Sequence, residues 1–468
     1  MRLAGLMLSV VLLSAGCATH IDNAPANLPI TARASAAIEA ARSGGARDQV
    51  IGISLSGGGL RAAAFGFGVM QELAAGEPDV YDDVHFISSV SGGSLTAAYL
   101  ALEGRPGLIS LRNKVLLHNY ELDLRLSLWS PTNLMRILAG GMNDRSNLAQ
   151  IFDRDVFSGA TFEELYARGG PELWINATDL YNRTPFPFVP QVFSALCSDL
   201  GSVRISDAVA ASMAVPLAFA PMVLKTYPDH CASPLPPWVS RASQDKGGVT
   251  AGLLASTARA VTNYRDPKRM RYVKLADGGL TDNQGLSSIL VARAAANTPY
   301  DPFTESDAVR LRHALFLVVD AGRPPIGDWA LGADGPSGFD VGLAALDAAV
   351  DSATRLSVQV FKEEMSRWHD QIVDFRCSLP PERVRAWVPE GQAWDCRDLS
   401  FDVDVLSFEN LPAPLQGRLR SMPTTLVLSA EDVDAAIDAG RQAARKSAAL
   451  LRYRMGASMN TQSGSANR

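Results

Sequence analysis

Short apolar runs alternate with longer stretches of helical periodicity through most of this chain. Gln49-Val-Ile-Gly-Ile-Ser-Leu-Ser56, Val84 to Val90, Leu173 to Ala177, Arg271 to Ala276 and Ala314 to Val319 have the length and β-branched content of buried strands. Leu60 to Ala75, Leu95 to Leu102, Ile205 to Met213, Asn283 to Ala296 and Val341 to Trp368 predict helices. Ser429, followed by Glu431 and Asp432 in a first turn, begins a last long helix through Arg454. Alternation of this kind predicts an α/β fold, with a central, mostly parallel sheet between helical layers. Residues 49–456 read as one domain, with a core at about 50–330 and a helical C-terminal part at about 331–456. The Pro-rich Ser233-Pro-Leu-Pro-Pro-Trp238 reads as a surface excursion that shapes the entrance to a site.

The two ends depart from this pattern. Residues 1–16 carry one positive charge, an apolar run of signal-peptide length and small residues before Cys17. That run is too short to cross about 30 Å of hydrocarbon as a helix, so it predicts export and not a membrane span. Leu13-Ser14-Ala15-Gly16-Cys17 resembles a bacterial lipobox, although a hydrophobic residue is more usual at the place of Ser14. The resemblance implies lipidation at Cys17, and Ala18 in place of aspartate favours the outer membrane; a plain secretory signal, with Cys17 incidental, is the alternative. Residues 17–48 read as a tether, and 457–468 as a disordered tail.

Four of the five cysteines then remain, Cys197, Cys231, Cys377 and Cys396. An even set in an exported chain suggests disulfides, and pairing neighbours in sequence joins Cys197 to Cys231 and Cys377 to Cys396. No CxxC spacing or local Cys/His cluster supports zinc, so no metal is expected. With 468 residues, 47% hydrophobic, and a formal net charge of -6, the chain has ordinary globular composition and no basic stripe for nucleic acid. Bulk charge also argues against attraction to anionic headgroups, which leaves the lipid anchor to bring the chain to a membrane.

Three glycine-rich turns follow strands, and ligands of open parallel sheets sit at the carboxyl ends of strands. In Ser56-Gly57-Gly58-Gly59-Leu60-Arg61, consecutive glycines ahead of a helix let N–H groups converge on one anion, either an oxyanion or a pyrophosphate. Gly57-x-Gly59-x-x-Ala62 satisfies a loose dinucleotide pattern, but the next strand ends Ile87-Ser-Ser-Val-Ser91 without the acidic residue such a site needs. That second turn, Ser89-Val90-Ser91-Gly92-Gly93, has the form of a nucleophile elbow, with Ser89 where Gly-x-Ser-x-Gly has its first glycine. A helix N-cap is the plain alternative for Ser91. The third turn, Ala276-Asp277-Gly278-Gly279, places a carboxylate at a strand end, where Asp-Gly is also a common structural turn.

Together these turns supply an oxyanion hole, a nucleophile and a base, the parts that acyl transfer requires. On these residues the chain resembles the patatin-like phospholipases, whose marks are a Gly-Gly-Gly-x-Arg/Lys loop, a serine elbow and an Asp-Gly-Gly motif. Ala177-Thr178-Asp179-Leu180 and Ala211-Ser212-Met-Ala-Val-Pro216 are softer matches, and the resemblance spans about residues 50–290. It implies a three-layer α/β/α fold and a Ser91–Asp277 dyad with Gly57, Gly58 and Gly59 as the oxyanion loop. It also implies action on fatty acyl esters of membrane lipids without a cofactor. Arg61 either orients the loop, contacts a lipid phosphate, or is a surface residue at a helix start.

The six histidines support a dyad independently, because none has a triad setting. His85 and His313 begin strands, at the wrong edge; His369 follows a long helix; His20, His118 and His230 lie without a catalytic signature. A Ser-His-Asp hydrolase using His369 with Asp320 or Asp277 is the second enzymatic reading. Envelope acyltransferase activity and a catalytically silent lipid-binding role also remain open. Trp129, Trp174 and Trp238 either line an acyl groove or pack in the core and surface.

Overall fold

The computed structural model describes residues 24–31, 47–124, 148–216, 218–231, 233–242, 249–322, 333, 337–388 and 390–465. Its ten strands are β1 (Leu28–Pro29), β2 (Gln49–Leu55), β3 (Val84–Val90), β4 (Glu172–Asp179), β5 (Thr184–Pro187), β6 (Ser198–Asp199), β7 (Met222–Lys225), β8 (Tyr272–Asp277), β9 (His313–Asp320) and β10 (Ser400–Ser407). Eight of them form one sheet in the order β10-β9-β2-β3-β4-β8-β7, with β5 also on β4. From β10 to β4 the neighbours are parallel, and β5, β8 and β7 continue antiparallel.

Side-chain alternation along the strands sorts the core into two faces. Ile51, Ile53 and Leu55 of β2, with Leu315, Leu317 and Val319 of β9, pack toward one helical layer. That layer holds α1 (Gly59–Ala75), α2 (Gly92–Glu103), α3 (Ile205–Ser212) and α7 (Ala430–Lys446). Val50 and Ala314, Phe316 and Val318 pack toward the other, which holds α5 (Ser287–Ala294) and α6 (Gly338–Ser378). A further helix, α4 (Val249–Tyr264), leads toward β8. The fold is the expected three-layer α/β/α arrangement with C-terminal helices.

The antiparallel end of the sheet is where the structure corrects the sequence. Asp277 does not end a parallel strand. β8 meets β4 head-on, pairing Ala177 with Asp277, Thr178 with Ala276 and Asp179 with Leu275. It therefore enters from beyond the carboxyl edge and stops at that edge, beside the end of β3, where Val90 pairs with Asn176 of β4. An aspartate at the end of an antiparallel strand reaches the same place as one ending a parallel strand.

Other boundaries shift for local reasons. The predicted helix from Ser429 to Arg454 is two helices, α7 and α8 (Ala448–Ser465). Buried Ser447 breaks it in an extended conformation, its hydroxyl donating to Asp404 and accepting from Leu450 N–H. The second helix continues to Ser465, into the stretch read as a disordered tail; extending a helix already anchored by buried Leu450 and Tyr453 costs far less than starting one. The helix expected over Asn283–Ala296 shortens to α5 because Asp282 accepts from Gln284 and Ser287 N–H groups and holds a turn ahead of it. Part of the predicted tether is docked: β1 pairs with β6, and Asn27 is buried between Ser198 and Lys225. Both sequence-neighbour disulfides are formed, Cys197–Cys231 and Cys377–Cys396. Cys17 and Trp129 lie outside the described residues, and among those no helix is long and apolar enough to cross a membrane.

Candidate active site

Strand β3 delivers Ser91 onto a sharp turn and α2 carries the chain away. Ser91 has φ 50° and ψ -125°, a conformation that costs a non-glycine residue about 1–3 kcal/mol and persists only where neighbours impose it. The restraint is visible. Ser91 N–H donates to Ser212 Oγ at 2.8 Å, Ser212 Oγ donates in turn to Asn176 C=O at 2.6 Å, and Ser94 N–H donates to Ser91 C=O at 2.9 Å. A Cβ on Gly92 would lie 1.9 Å from Gly59 C=O, so the elbow presses directly on the triglycine loop. Ser89 fits where glycine is more usual because its hydroxyl, fully buried, donates to Trp174 C=O at 3.2 Å.

Ser91 Oγ donates to Asp277 Oδ2 at 2.8 Å. Asp277 is held at both backbone and side chain: its N–H donates to Ala214 C=O at 2.8 Å, Thr178 Oγ1 donates to the Asp277 C=O at 2.9 Å, and Gly279 N–H donates to Oδ1 at 2.8 Å. The backbone bonds place the residue, and the Gly279 bond orients the carboxylate with Oδ2 facing the serine. Both residues are buried, at 7% and 4% exposure, where a short hydrogen bond is little diluted by water.

The loop Gly57–Gly59 lies against this pair. Gly57 N–H is already donated to Asn283 C=O at 3.0 Å, which corrects the expectation that all three glycines face the same anion. Gly58 and Gly59, at φ 139° and 62°, have N–H groups with no hydrogen-bond partner among the described residues, at the N-terminus of α1. Gly59 has no room for a side chain, since a Cβ would sit 2.6 Å from Thr425 C=O, and Leu60 N–H donates to that same carbonyl at 3.0 Å. The C-terminal part of the chain thus braces the loop.

Arg61 belongs to this brace. It is fully buried, with Nη1 donating to Met422 C=O at 2.7 Å and Nη2 to Gly322 C=O at 2.8 Å, and its guanidinium lies 5.7 Å from the Phe408 ring centre. The readings as a lipid-phosphate contact or a surface residue are corrected; the loop-orienting one describes what Arg61 touches.

A family model described as patatin-like phospholipase matches residues 53–290, which contain all three turns and the Ser91–Asp277 pair. The chain belongs to that family. Membership implies a lipid ester hydrolase. No curated protein matches the sequence. Among solved structures, human GIVD cytosolic phospholipase A2 is similar at 11% identity over 93% of this chain and 69% of that one, with a TM-score of 0.39, too low to carry an argument.

In this patatin-like fold the alternative Ser-His-Asp triad is not assembled. His369 Nε2 lies 3.1 Å from Leu399 C=O and Nδ1 2.9 Å from Asp370, at the amino end of β10. His313 sits 2.9 Å from Asp402, and His85, at the start of β3, is held below its ordinary pKa by burial. Asp320 accepts from Gln284 Nε2 and Gly322 N–H. The dinucleotide reading also fails, because the glycine loop lies against the Ser91–Asp277 pair and β3, the strand that follows it, ends Ser88-Ser89-Val90 with no carboxylate. Trp174 packs edge-on against Phe86 in the core, and Trp238, within a short helix over Pro237–Ala242, packs half-buried against the core. Sequence reasoning passed over Ser212, Asn283 and Thr425. Ser212 belongs to the Ala211-Ser212-Met-Ala-Val-Pro216 stretch, and the other two act through backbone carbonyls, which leave no residue signature.

Proposed function

We propose that this protein hydrolyses fatty acyl esters of phospholipids or lysophospholipids through Ser91 and Asp277. The observation that carries the reading is the 2.8 Å hydrogen bond from Ser91 Oγ to Asp277 Oδ2 beside two N–H groups, of Gly58 and Gly59, that have no partner among the described residues. Ser91 Oγ attacks the ester carbonyl carbon as its proton passes to Asp277 Oδ2. Charge collects on the carbonyl oxygen, which takes the Gly58 and Gly59 N–H groups and the positive end of α1; one such donor is typically worth about 3 kcal/mol in the transition state. Collapse of the tetrahedral intermediate expels the lyso-lipid alkoxide, which takes the proton back from Asp277. Water then attacks the acyl-Ser91 ester, again giving its proton to Asp277, and collapse of the second intermediate releases the fatty acid and Ser91 Oγ, which takes that proton back from Asp277. Gly279 N–H on Oδ1 keeps the carboxylate from rotating between the two half-reactions.

The proposal extends to location. Cys17, as the lipidated first residue of an exported protein, holds the domain at the bacterial envelope, beside its substrate. The test is incubation of purified protein with defined diacyl- and lyso-phospholipids and analysis of products by mass spectrometry. Free fatty acid and the matching deacylated lipid are expected, absent from a folded Ser91→Ala protein. Acyl groups recovered mainly on an added alcohol or lipid acceptor would make it a transferase, and lipid binding without turnover would make it a silent binder.

A further inference from the structure

Where the sheet turns antiparallel, it builds a surface that the dyad does not use. β8 overlaps β4 by three residues, so Tyr272 stands three positions past the end of β4, about 10 Å beyond the carboxyl edge. β7 follows it outward, pairing Lys225 with Tyr272 and Val223 with Lys274. Directly opposed residues share a face, so Lys225, Tyr272 and Lys274 project together, while Val273 and Leu275 are buried on the other face. The turn after β4 adds Leu180, whose N–H donates to Lys274 C=O at 3.0 Å, and Tyr181.

This tip is both apolar and cationic. Leu180, Tyr181 and Tyr272 are 39%, 61% and 46% exposed. Around them Arg183, Lys225, Lys268, Arg269, Arg271 and Lys274 are all exposed, against Asp229 and Asp266, the latter paired with Arg269 at 3.3 Å. Lys274 Nζ lies 5.8 Å from the Tyr272 ring centre and Lys225 Nζ 5.3 Å from that of Tyr227. A chain of net charge -6 has concentrated positive charge at one place, where bulk charge gave no reason to expect it.

We infer that this tip is a docking surface for an anionic lipid bilayer, with the tyrosines and Leu180 at headgroup depth and the lysines and arginines against lipid phosphates. The inference rests on the proposed lipid substrate and deepens it. Ser91 and Asp277 lie at the same edge of the sheet, so a domain seated on its tip turns the dyad toward the lipid. The N-terminal segment is clamped to the same ribbon: Ala26 N–H donates to Val223 C=O, and Asn27 exchanges hydrogen bonds with the backbone of Lys225. Cys17 stands seven residues before Ala24, about 25 Å of extended chain at most, which suits an anchor and a docking face on one side of the molecule.

The test uses the full chain carrying Cys17→Ser, so that no acyl group contributes, in flotation with vesicles of phosphatidylethanolamine containing about one third phosphatidylglycerol. Partitioning onto these vesicles and not onto phosphatidylcholine is expected. Lys225→Gln with Lys274→Gln weakens it about tenfold to thirtyfold, because each basic residue near an anionic surface contributes about fivefold. Tyr181→Ser with Tyr272→Ser weakens it as well, and Lys268→Gln with Arg271→Gln is a second cationic pair for the case in which the first lowers the melting temperature. Hydrolysis of a soluble short-chain ester stays unchanged in all of them. The docking surface is overturned if folded charge-neutralised variants partition as the parent does, or if the parent prefers neither vesicle. Absence of short-chain hydrolysis in the parent would instead sink the hydrolase reading, while charge-dependent partitioning would still uphold the surface.

Discussion

The two edges of the central sheet hold opposite kinds of chemistry. At the amino edge, titratable groups are abundant and mutually satisfied: His313 pairs with Asp402, Asp402 also takes Arg452, and His369 sits on Leu399 C=O. At the carboxyl edge the dyad is Ser91 and Asp277 among glycines, and among the described residues the backbone N–H groups of Gly58 and Gly59 have no partner. On the proposed chemistry, the difference teaches that reactivity in this fold follows unsatisfied, preorganised backbone dipoles and a strained elbow. A crowd of ionisable side chains marks structure instead.

The sharpest way to break that comparison is to change the carboxylate. Asp277→Asn keeps the shape of the side chain but cannot accept the Ser91 proton, and ester hydrolysis should fall about 10³-fold or more in steady-state assays. His313→Ala and His369→Ala should leave it within assay error; a collapse in either would return the base to histidine. Next in size is Gly59→Ala, which adds a Cβ 2.6 Å from Thr425 C=O at a backbone φ of 62°. It should lower turnover about 10²-fold by displacing an oxyanion donor, with KM little changed.

Arg61→Ala probes the brace behind the loop. Removing a fully buried guanidinium strands the Met422 and Gly322 carbonyls, and urea unfolding should show a loss of about 2–4 kcal/mol, partly restored by Arg61→Lys. The smallest effect is at the amino edge. Burial pushes Asp402 up, but hydrogen bonds from Arg452 and His313 outweigh it and hold the carboxyl below its ordinary value. A depressed carboxylate contributes stability above its unfolded pKa and loses it as pH falls through the folded one. In His313→Ala the folded pKa of Asp402 lies nearer the unfolded one, so that loss is smaller and complete at higher pH, seen as a larger stability deficit against the parent at pH near 7 than in strong acid.

Much of this was legible because the informative residues carry their geometry with them. Ser91 between an apolar run and Gly92-Gly93 was readable as an elbow or as a helix N-cap, and its hydroxyl decides between them by reaching Asp277 and capping no N–H of α2. The reversal of β8 was not legible, since Tyr272-Val-Lys-Leu-Ala-Asp277 reads alike in either direction and only pairing with β7 and β4 decides it. β10 was missed because Ser-Phe-Asp-Val-Asp-Val-Leu-Ser alternates acids with apolar residues, as suits an edge strand and not the continuous apolar run sought. Arg61 looked like a surface residue because its partners, the carbonyls of Gly322 and Met422, lie more than 250 residues away.

The central claim is that Ser91, activated by Asp277, is the nucleophile. Reaction with a fluorophosphonate ester, followed by peptide mass spectrometry, tests it most directly, because the reagent phosphonylates only a serine with an active base and oxyanion site. The account predicts one adduct, on Ser91, in the parent and in His313→Ala and His369→Ala, greatly slowed labelling in Asp277→Asn, and none in Ser91→Ala. An adduct on any other residue, or labelling of Ser91→Ala at the parental rate, would contradict it.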